Sequence, residues 1–353
     1  MDGIDVAALR SDGESFVEPL QAGAYRYTDD VAAELRAVVA DPERAAGPLD
    51  ALERAVTDAH VAAVEAFLRE FAIARKDVFL VGLHGQTVLH RPKQRYTRQL
   101  CDGARAAARL GIDVVCDFRS ANVLAGGEGA PLIPLYHAAI AASLEKPLML
   151  LNWGGVGNVT YLGEAGEIVA FDTGPANALI DDFLRSRRGL AYDMDGKLAA
   201  SGQVDESLLA RLRSDPYFAR PAPKSLDRNH FHAALADVEN LSDADGAATL
   251  TAFTVAATVA ALGAVGTPPK RWIVCGGGRR NVTLMQRLAQ ALNAPVGPVE
   301  AIGYDGDAIE AQGFAYLAIR AARGKPLSLP TTTGAPRPMT GGVVWRVGLG
   351  DRT

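Results

Sequence analysis

The chain has 353 residues, a formal net charge of −5 and 48% hydrophobic residues. This length favours two domains, and the apolar content is ample for large cores. The mild acidity, with no basic stripe, argues against a nucleic-acid partner. Three cysteines without a CxxC pair favour reduced thiols over a zinc site. Acidic residues stand where a signal peptide has its basic region, so we expect a cytoplasmic protein.

The first part of the chain predicts strands followed by helices. Asp2-Gly3, followed by alternating apolar and polar residues, is a hairpin-turn signal, yet no strand precedes it in the sequence. Apolar residues at three- and four-residue steps predict a long helix over 49–74. In chain order we expect strands at 4–8 and 15–24, helices at 29–39 and 49–74, a strand at 78–83, a helix at 97–110 and a strand at 113–118.

The segment "AGGEGAPLIP" (125–134) consists of turn-forming and small residues, which predicts a boundary between two units. The stretch 247–265 approaches the length of a membrane span, but it is rich in Ala and Thr and predicts a buried helix. Strands therefore alternate with helices, which indicates an α/β fold. The remaining expected elements are a helix at 136–142, strands at 148–153, 159–162 and 168–174, a helix from 177, a loop-rich insert at 192–232, a strand at 271–278 and helices at 282–292 and 307–323.

Two glycine-rich turns follow predicted strands in the second half of the chain. In "LNWGGVGNVTYL", Gly154-Gly155 lets backbone N–H groups approach an anion, although a plain tight hairpin has the same sequence. In "IVCGGGRRN", Gly276-Gly277-Gly278 precedes a helix that Asn281 caps, which suits the close passage of a nucleotide. Neither turn is a GxGxxG or Walker motif, so Rossmann and P-loop folds are excluded.

The stretch "FDTGPANALIDDF" is a candidate for acid–base chemistry. A predicted strand ends at Asp172, the residues from Thr173 turn, and a helix begins near Asn177. A carboxylate at a strand end that faces a helix N-terminus is placed to act as a general base or to hold metal-bound water. The alternative is a capping Asp without a catalytic role.

Eight stretches, in order, resemble anhydro-N-acetylmuramic acid kinases, a family in the actin, chaperone and sugar-kinase superfamily. The resemblance runs from Asp2 to about Pro336. It implies an actin-like ATPase (ribonuclease H-like) fold, two-lobed with a nucleotide cleft between the lobes. It also implies a cytoplasmic enzyme of cell-wall recycling that uses ATP and Mg²⁺, opens 1,6-anhydro-N-acetylmuramic acid with water and phosphorylates its 6-oxygen. The stretches are "HGQTVLHRP", "DFRSANVLAGGEGAPLIPLYH", "LNWGGVGNVTYL", "FDTGPANALIDDF", "YDMDGKLAASGQV", "SDPYFARPAPKSLDRNHF", "CGGGRRN" and "GDAIEAQGFAYLAIR".

The resemblance assigns roles to residues of this chain. Asp172 is implied as the base that activates water, and Glu310 as a second group that helps to hold the water. Alternatives remain open for Glu310 as a surface residue of a helix, for His84 as a core histidine, for Arg119 as an ion-pair partner of Asp117 or another acid, and for Lys224 as a residue that only pins the insert. The implied sugar contacts are His84, Arg119, Thr173 and Lys224; the implied phosphate and nucleotide contacts are Asp2, Gly3, Gly154, Gly155, Gly174, Asn177, Gly276, Gly277, Gly278 and Asn281; and Asp2 is the implied partner of Mg²⁺.

The expected lobes are 1–124 with 337–353, and 125–336. The partners that we expect are a small sugar and a second copy in a homodimer, with neither nucleic acid nor membrane. Family chains carry a strand and a "GTS" segment ahead of the matching Asp-Gly, and Met1 stands just inside that loop. We favour a start codon assigned too late over loss of part of the phosphate clamp. The rival functions are another sugar or acid kinase of the superfamily and a non-catalytic nucleotide or muropeptide sensor.

Overall fold

The computed structural model describes residues 3–348. The chain divides into unit 1, Met1–Ala142 with Glu310–Thr353, and unit 2, Ser143–Ile309. The strands are β1 (Ile4–Ser11), β2 (Val17–Tyr25), β3 (Val81–Gly82), β4 (Gln86–Arg91), β5 (Tyr96–Leu100), β6 (Val114–Cys116), β7 (Leu148–Trp153), β8 (Val156–Leu162), β9 (Ile168–Pro175), β10 (Trp272–Cys275), β11 (Val296–Pro298) and β12 (Val343–Trp345). The helices are α1 (Asp29–Ala40), α2 (Pro42–Ala46), α3 (Asp50–Glu70), α4 (Gly103–Leu110), α5 (Ser120–Leu124), α6 (Pro134–Ile140), α7 (Asn177–Arg188), α8 (Lys197–Ser201), α9 (Glu206–Arg213), α10 (Ala234–Asp237), α11 (Asp243–Ala260), α12 (Val282–Ala291), α13 (Ile309–Ala322) and α14 (Pro330–Thr333).

The glycine-rich segment after α5 belongs to unit 1, so both lobe boundaries expected from the sequence fall inside that unit. The buried Asn122 explains the difference. Its side chain donates to Ser328 Oγ at 2.7 Å and to Thr333 Oγ1 at 2.8 Å, and its Oδ1 accepts from the Gly129 amide at 2.8 Å. These bonds join two distant parts of the chain, whereas composition alone makes the segment look like a linker.

The first unit contains three separate sheets. Strands β1 and β2 form an antiparallel hairpin, β4 and β5 form another, and the third sheet has the order β12-β6-β3. The helix expected at 97–110 is wrong in its first part, because Tyr96–Leu100 pairs with β4 as a strand. The helix α4 begins only after Asp102, whose side chain accepts from the Arg105 amide at 2.9 Å. No strand signal is present in the sequence here, because polar residues occur in runs that do not alternate with apolar ones: Gln86-Thr87 and His90-Arg91 in β4, and Thr97 to Gln99 in β5.

The second unit has one five-stranded sheet with the order β11-β10-β7-β8-β9. Strands β7, β8 and β9 are antiparallel neighbours, and β10 runs parallel to β7 and β11. The α/β fold predicted from the sequence is confirmed. Strand β7 has the predicted bounds because four consecutive apolar residues, Leu148 to Leu151, are all buried.

The helix at Asp243–Ala264 is long and apolar enough to cross a membrane, but 61% of that apolar window is buried inside the protein. Leu250, Phe253 and Thr254 are among the side chains that its α11 part buries. Its burial agrees with the expected core helix. Among residues 3–348 the three cysteines are free thiols, and two of them, Cys116 and Cys275, are buried.

Asp181 on α7 makes the stability of unit 2 depend on pH. Burial raises the pKa of Asp181 to about 6, the Asp182 carboxylate adds to this rise, and Arg185 opposes it. The folded chain therefore binds a proton more tightly than the unfolded chain, so Asp181 makes stability fall as the pH rises from about 4 to 6. We expect Asp181→Asn to raise the free energy of unfolding at pH 8 by about 1 kcal/mol, because Asp181 is partly exposed.

The measurement is urea unfolding of both proteins at pH 8 and at pH 4, where the gain should shrink. The control is Asp182→Asn. Asp182 forms ion pairs with Arg185 at 2.9 Å and with Arg228 at 3.1 Å, so its replacement should not stabilise the protein at pH 8. An equal gain from Asp181→Asn at both pH values would contradict the prediction.

Candidate active site

A row of polar side chains crosses the sheet of unit 2 where the glycine-rich turns begin. Asn152 on β7 lies opposite Asn158 on β8, and Asn158 lies opposite Asp172 on β9. Residues directly opposite in neighbouring strands point to the same face of a sheet, so the three side chains form one row. Asp172 is predicted from the sequence, whereas neither asparagine is. The available signal was an amide side chain in an apolar strand directly beside a glycine turn.

A β-bulge at Thr173 sets the direction of Asp172. Gly157 pairs with Gly174 and Asn158 pairs with Asp172, which leaves Thr173 as an extra residue in β9. Such bulges redirect side chains and are common beside active sites. The Thr173 side chain is 2% exposed and packs beside Gly157, where an added Cβ would lie 2.6 Å from its Oγ1. The Thr173 side chain is therefore packed inside the sheet, although a contact with the sugar is expected from the sequence.

The insert between α9 and α11 holds Asp172 from three sides. The Leu226 amide donates to Asp172 Oδ2 at 2.8 Å, and the Asp172 amide donates to the Lys224 carbonyl at 2.9 Å. The Tyr217 hydroxyl donates to the Asp172 carbonyl at 2.6 Å. The carboxylate, which is half-buried, is therefore fixed by backbone and side-chain bonds before any ligand arrives.

Lys224 contributes to the same support. Its side chain is buried, and its Nζ donates to the backbone carbonyls of Tyr217 at 3.0 Å and Phe218 at 3.3 Å. The ammonium also lies 4.6 Å from the centre of the Tyr217 ring. Burial lowers the pKa of Lys224, and the charge of Arg220 lowers it further. These contacts match the alternative in which Lys224 pins the insert.

Both glycine-rich turns of unit 2 contact the start of α7. The Asn177 side chain donates to the Trp153 carbonyl at 2.7 Å, and the Asn177 backbone N–H donates to the Gly154 carbonyl at 3.0 Å. Gly276 has a φ of +73°, and a Cβ there would lie 2.3 Å from Asn152 Oδ1. Only glycine fits this position, because both the backbone conformation and the close approach exclude a side chain. The two turns therefore lie together, beside the row that contains Asp172.

Arg279, a buried residue that is not predicted from the sequence, holds the second glycine turn (276–278) in place. Arg279 Nη1 donates to the Gly276 carbonyl at 3.1 Å and to Asp307 Oδ1 at 2.9 Å, and its Nε donates to Glu300 Oε1 at 2.7 Å. Asn281 caps α12 as expected, since its Oδ1 accepts from the Leu284 amide at 3.0 Å. Sequence alone gives two adjacent arginines, and nothing in it shows that Arg279 is the buried one.

In unit 1, His84 and Arg119 form a direct contact. Arg119 donates from Nε at 3.0 Å and from Nη2 at 2.8 Å to His84 Nε2, and its Nη1 donates to the Gly129 carbonyl at 2.7 Å. Because a guanidinium only donates, His84 Nε2 carries no proton and the ring is neutral. Burial, together with the charge of Arg119, lowers the pKa of His84 to about 3. The imidazole therefore serves as an acceptor that orients Arg119.

Arg119 does not pair with Asp117, the alternative left open by the sequence. Asp117 instead accepts from the Ser120 amide at 3.2 Å and has a φ of +56°, a strained conformation of the kind that clusters at functional sites. Arg119 uses three of its five N–H groups in the contacts above, which leaves one on each Nη nitrogen. Two such groups form the fork that binds a carboxylate.

Glu310, in the first turn of α13, is electrostatically coupled to Arg119. Burial raises the pKa of Glu310, Arg119 opposes this rise, and Asp5 adds to it. The side chain keeps a solvent-exposed face, and it lines the same cavity of unit 1 as His84. Glu310 is thus an exposed residue, as the surface alternative expects, and it lines the cavity that also contains His84.

The remaining predicted residues have simpler environments. Gly174 is buried in β9, Gly155 is exposed in its turn, and Gly3 is exposed ahead of β1. Asp2 lies outside the described residues, so its role as a partner of Mg²⁺ stays a prediction from the sequence. Within residues 3–348 no group of three or more His, Cys, Asp or Glu side chains is placed to hold a metal ion.

Unit 2 is an α/β unit that has glycine turns at its strand ends and a fixed carboxylate beside them. Phosphotransferases use this arrangement to bind phosphate groups and to activate a nucleophile. A family model described as anhydro-N-acetylmuramic acid kinase matches residues 1–347. The chain belongs to this family.

Curated relatives agree with this assignment. The anhydro-N-acetylmuramic acid kinase of Rhodospirillum rubrum is 52% identical, covering 98% of this chain and 91% of the relative. That of Acidiphilium cryptum is 50% identical, covering 99% and 96%. A solved structure, the activator of the 2-hydroxyisocaproyl-CoA dehydratase from Clostridium difficile, has a TM-score of 0.46 at 12% identity, covering 91% of this chain and 96% of that one. Likeness at that level says nothing about substrate.

Proposed function

We propose that this chain is an ATP-dependent kinase that opens 1,6-anhydro-N-acetylmuramic acid with water and yields N-acetylmuramic acid 6-phosphate and ADP. The observation that carries the proposal is the position of Asp172. It lies inside strand β9, a bulge and three hydrogen bonds fix it, and both glycine turns lie beside it in the same unit. Family membership supplies the substrate class.

Asp172 acts as the general base. Water attacks the anomeric carbon and gives its proton to the carboxylate while the bond from that carbon to the 6-oxygen breaks. The released 6-oxygen attacks the γ-phosphorus, and ADP leaves. A positioned base is needed because neutral water is a weak nucleophile. Asn152 and Asn158, in the same row as Asp172, are amide side chains that can orient water or phosphate oxygens.

The glycine turns of unit 2 supply the phosphate site. The backbone N–H groups of the exposed Gly155 and Gly277 stabilise the charge that moves onto the phosphoryl oxygens, and phosphoryl transfer depends mainly on such positioning and electrostatics. Mg²⁺ adds charge neutralisation when it is bound. The side-chain oxygens of Asn152 and Asn158, in the row beside the glycine turns, would hold the ion together with the nucleotide phosphates.

Unit 1 supplies the sugar contacts. The fork of Arg119 binds the lactyl carboxylate, and the neutral ring of His84 orients that fork through its two hydrogen bonds. Glu310, with its raised pKa, holds the attacking water or a sugar hydroxyl. We do not assign Thr173 or Lys224 to the sugar, because both side chains are buried in unit 2.

The test is ADP release by the purified chain in the presence of 1,6-anhydro-N-acetylmuramic acid, with the product mass measured. We expect a sugar phosphate that is heavier than the substrate by one water and one phosphoryl group. Two control sugars separate the rivals: N-acetylmuramic acid, which has no anhydro ring, and 1,6-anhydro-N-acetylglucosamine, which has no lactyl group. Faster turnover of either control would favour another sugar kinase, and nucleotide binding without turnover would favour a sensor.

Tyr217 offers a test of how Asp172 is held. Tyr217→Phe removes only the hydroxyl that donates to the Asp172 carbonyl. A lost buried hydrogen bond costs about 1 kcal/mol, so we expect a kcat about fivefold lower at nearly unchanged KM for the sugar. The control is Tyr192→Phe, because Tyr192 is 57% exposed, and this change should leave both constants unchanged. An unaltered kcat in Tyr217→Phe would show that this bond does not position the base.

A further inference from the structure

The glycine-rich segment 125–129 of unit 1 ends at a contact with the candidate sugar site. It follows α5 directly, and the carbonyl of its last residue, Gly129, accepts from Arg119 Nη1 at 2.7 Å. Arg119 directly precedes α5, so the chain leaves the arginine and returns to it ten positions later. The orientation of the guanidinium therefore depends on how firmly this returning segment is held.

Segment 125–129 is packed tightly against the side chain of Asn122. The Gly127 amide donates to the Asn122 backbone carbonyl at 2.9 Å, and the Gly129 amide donates to Asn122 Oδ1 at 2.8 Å. A Cβ at position 127 would lie 2.2 Å from Asn122 Oδ1, so only glycine permits this close approach. The glycine content of the segment therefore reflects its packing on Asn122, whereas composition alone suggests a linker.

The other side of the Asn122 amide is anchored in the C-terminal part of unit 1. Its Nδ2 donates to Ser328 Oγ at 2.7 Å and to Thr333 Oγ1 at 2.8 Å. The Glu128 amide donates to the Thr333 carbonyl at 2.6 Å, so Asn122 and the segment share one anchor. Asn122 is 3% exposed. Both of its donors and its acceptor are thus used inside the protein, which leaves the amide a single orientation.

The guanidinium of Arg119 is the end of this network. Among the described residues, His84 accepts from its Nε and Nη2, and Gly129 accepts from its Nη1. Acceptors on two sides fix the plane of the group. With the Gly129 carbonyl displaced, the contact with His84 alone would let the guanidinium swing about the imidazole. A planar fork binds a carboxylate well only when its plane is held in the matching direction.

We propose that Asn122 is a positioning residue for Arg119: through Gly129 it fixes the plane of the guanidinium and thereby sets the preference for a sugar that carries a carboxylate. This role deepens the proposed function and rests on it for the identity of the carboxylate. Asn122 acts through the backbone, so its replacement changes the direction of the fork and leaves the charge in place. A sugar without a carboxylate does not use the fork, and its turnover is independent of Asn122.

The first measurement follows Arg119 itself and needs no substrate. In the full chain labelled with ¹⁵N-arginine, the Arg119 Nε–H is the NMR signal that is missing in Arg119→Met. Because this N–H donates to His84, it exchanges slowly with water in the unaltered chain. Asn122→Ala should raise the exchange rate about tenfold, the usual effect of losing a hydrogen bond to a charged group. An unchanged rate would overturn the proposal for any sugar that the enzyme uses.

The second measurement is the preference for 1,6-anhydro-N-acetylmuramic acid over 1,6-anhydro-N-acetylglucosamine, taken as the ratio of their kcat/KM values. Asn122→Ala should lower this ratio about fivefold through a higher KM for the lactyl sugar, with kcat for the other sugar within about twofold. A merely structural defect reduces the fraction of active enzyme and affects both sugars equally, so it leaves the ratio unchanged.

The ratio also separates failure of this role from failure of the proposed function. An unchanged ratio in Asn122→Ala beside a lowered ratio in Arg119→Met would overturn the role of Asn122. An unchanged ratio in both variants would remove the carboxylate from Arg119, and with it the preference assigned to Asn122. If the unaltered chain turns over neither sugar, the proposed function fails, and the exchange rate of Arg119 still decides whether Asn122 positions it.

Asn122→Asp is the conservative variant. A carboxylate keeps an oxygen that accepts from the Gly129 amide, and the hydroxyls of Ser328 and Thr333 can donate to it, since a hydroxyl is both donor and acceptor. Both measured quantities should therefore stay within about twofold of the unaltered chain. Losses in Asn122→Asp as large as those in Asn122→Ala would overturn the proposal.

Tyr316→Phe is the matched control for the loss of a buried hydrogen bond, because the Tyr316 hydroxyl donates to the Glu14 carbonyl at 2.8 Å, elsewhere in unit 1. It should change neither quantity. Circular dichroism and thermal unfolding report whether Asn122→Ala folds. If it does not, Ser328→Ala decides, since it removes one of the two acceptors of the Asn122 amide and should change both quantities about threefold. Unchanged values in folded Ser328→Ala would then overturn the proposal.

Discussion

An Asp172→Asn enzyme should turn over 1,6-anhydro-N-acetylmuramic acid about 10²- to 10⁴-fold more slowly than the unaltered chain, which is the contribution typical of a general base. The amide side chain keeps an oxygen that can accept from the Leu226 amide, so the local structure should persist. It cannot take a proton from water. The loss should therefore appear in kcat, with little change in KM for either substrate.

Steady-state ADP release measures this loss, and calorimetric titration with a non-hydrolysable ATP analogue checks that the nucleotide still binds. The matched control is Asp182→Asn, which removes a carboxylate from α7 that pairs with Arg185 and Arg228 outside the row of Asp172. That variant should keep its turnover within about twofold. An Asp172→Asn enzyme with normal kcat would mean that another group activates the water.

Replacement of Arg119 should have the second largest effect, and that effect should depend on the substrate. Arg119→Met removes the fork that we assign to the lactyl carboxylate. Hydrogen bonds to charged groups contribute about 1.5–3 kcal/mol, so we expect KM for 1,6-anhydro-N-acetylmuramic acid to rise about 10- to 100-fold. Arg119→Lys keeps the charge but loses the planar fork, so its KM should be intermediate.

The decisive measurement is the preference for the lactyl sugar over 1,6-anhydro-N-acetylglucosamine. If Arg119 binds the carboxylate, Arg119→Met should reduce the ratio of the two kcat/KM values by the same factor as it raises KM. Arg109→Met is the control, because Arg109 is a surface residue of unit 1 whose partner is Asp58 at 2.6 Å. A loss of kcat/KM that is equal for both sugars would place the lactyl carboxylate elsewhere.

Residues whose role depends on local chain geometry were predictable from the sequence. The run Leu148 to Leu151 predicts a buried strand because it is uniformly apolar, and Asn281 predicts a helix start because its side chain caps the next amides. Asp172 was found for the same reason, since it is a carboxylate that directly follows the apolar part of a strand, although β9 itself continues to Pro175. Such signals are contained within a few neighbouring residues.

Features that depend on distant contacts were not predictable. Arg279 is buried only because Glu300 and Asp307, more than twenty residues away, neutralise it. The lobe boundary was misplaced because Asn122 bonds to residues more than two hundred positions away. Strand β5 was predicted as the start of a helix because its consecutive polar residues, Thr97 to Gln99, show no alternation with apolar ones. For Arg279 and Asn122 the deciding partner is remote in sequence, whereas for β5 it is the neighbouring strand β4.

The fastening of the glycine turns in unit 2 has a consequence for the thermodynamics of nucleotide binding. Asn177 ties the first turn to α7, and Arg279 ties the second to Glu300 and Asp307, so little backbone freedom is left to lose when phosphate arrives. Ordering a loop costs roughly 1–2 kcal/mol of entropy for each residue. A site that is rigid beforehand avoids most of this penalty, and the heat of binding then reflects the phosphate contacts themselves.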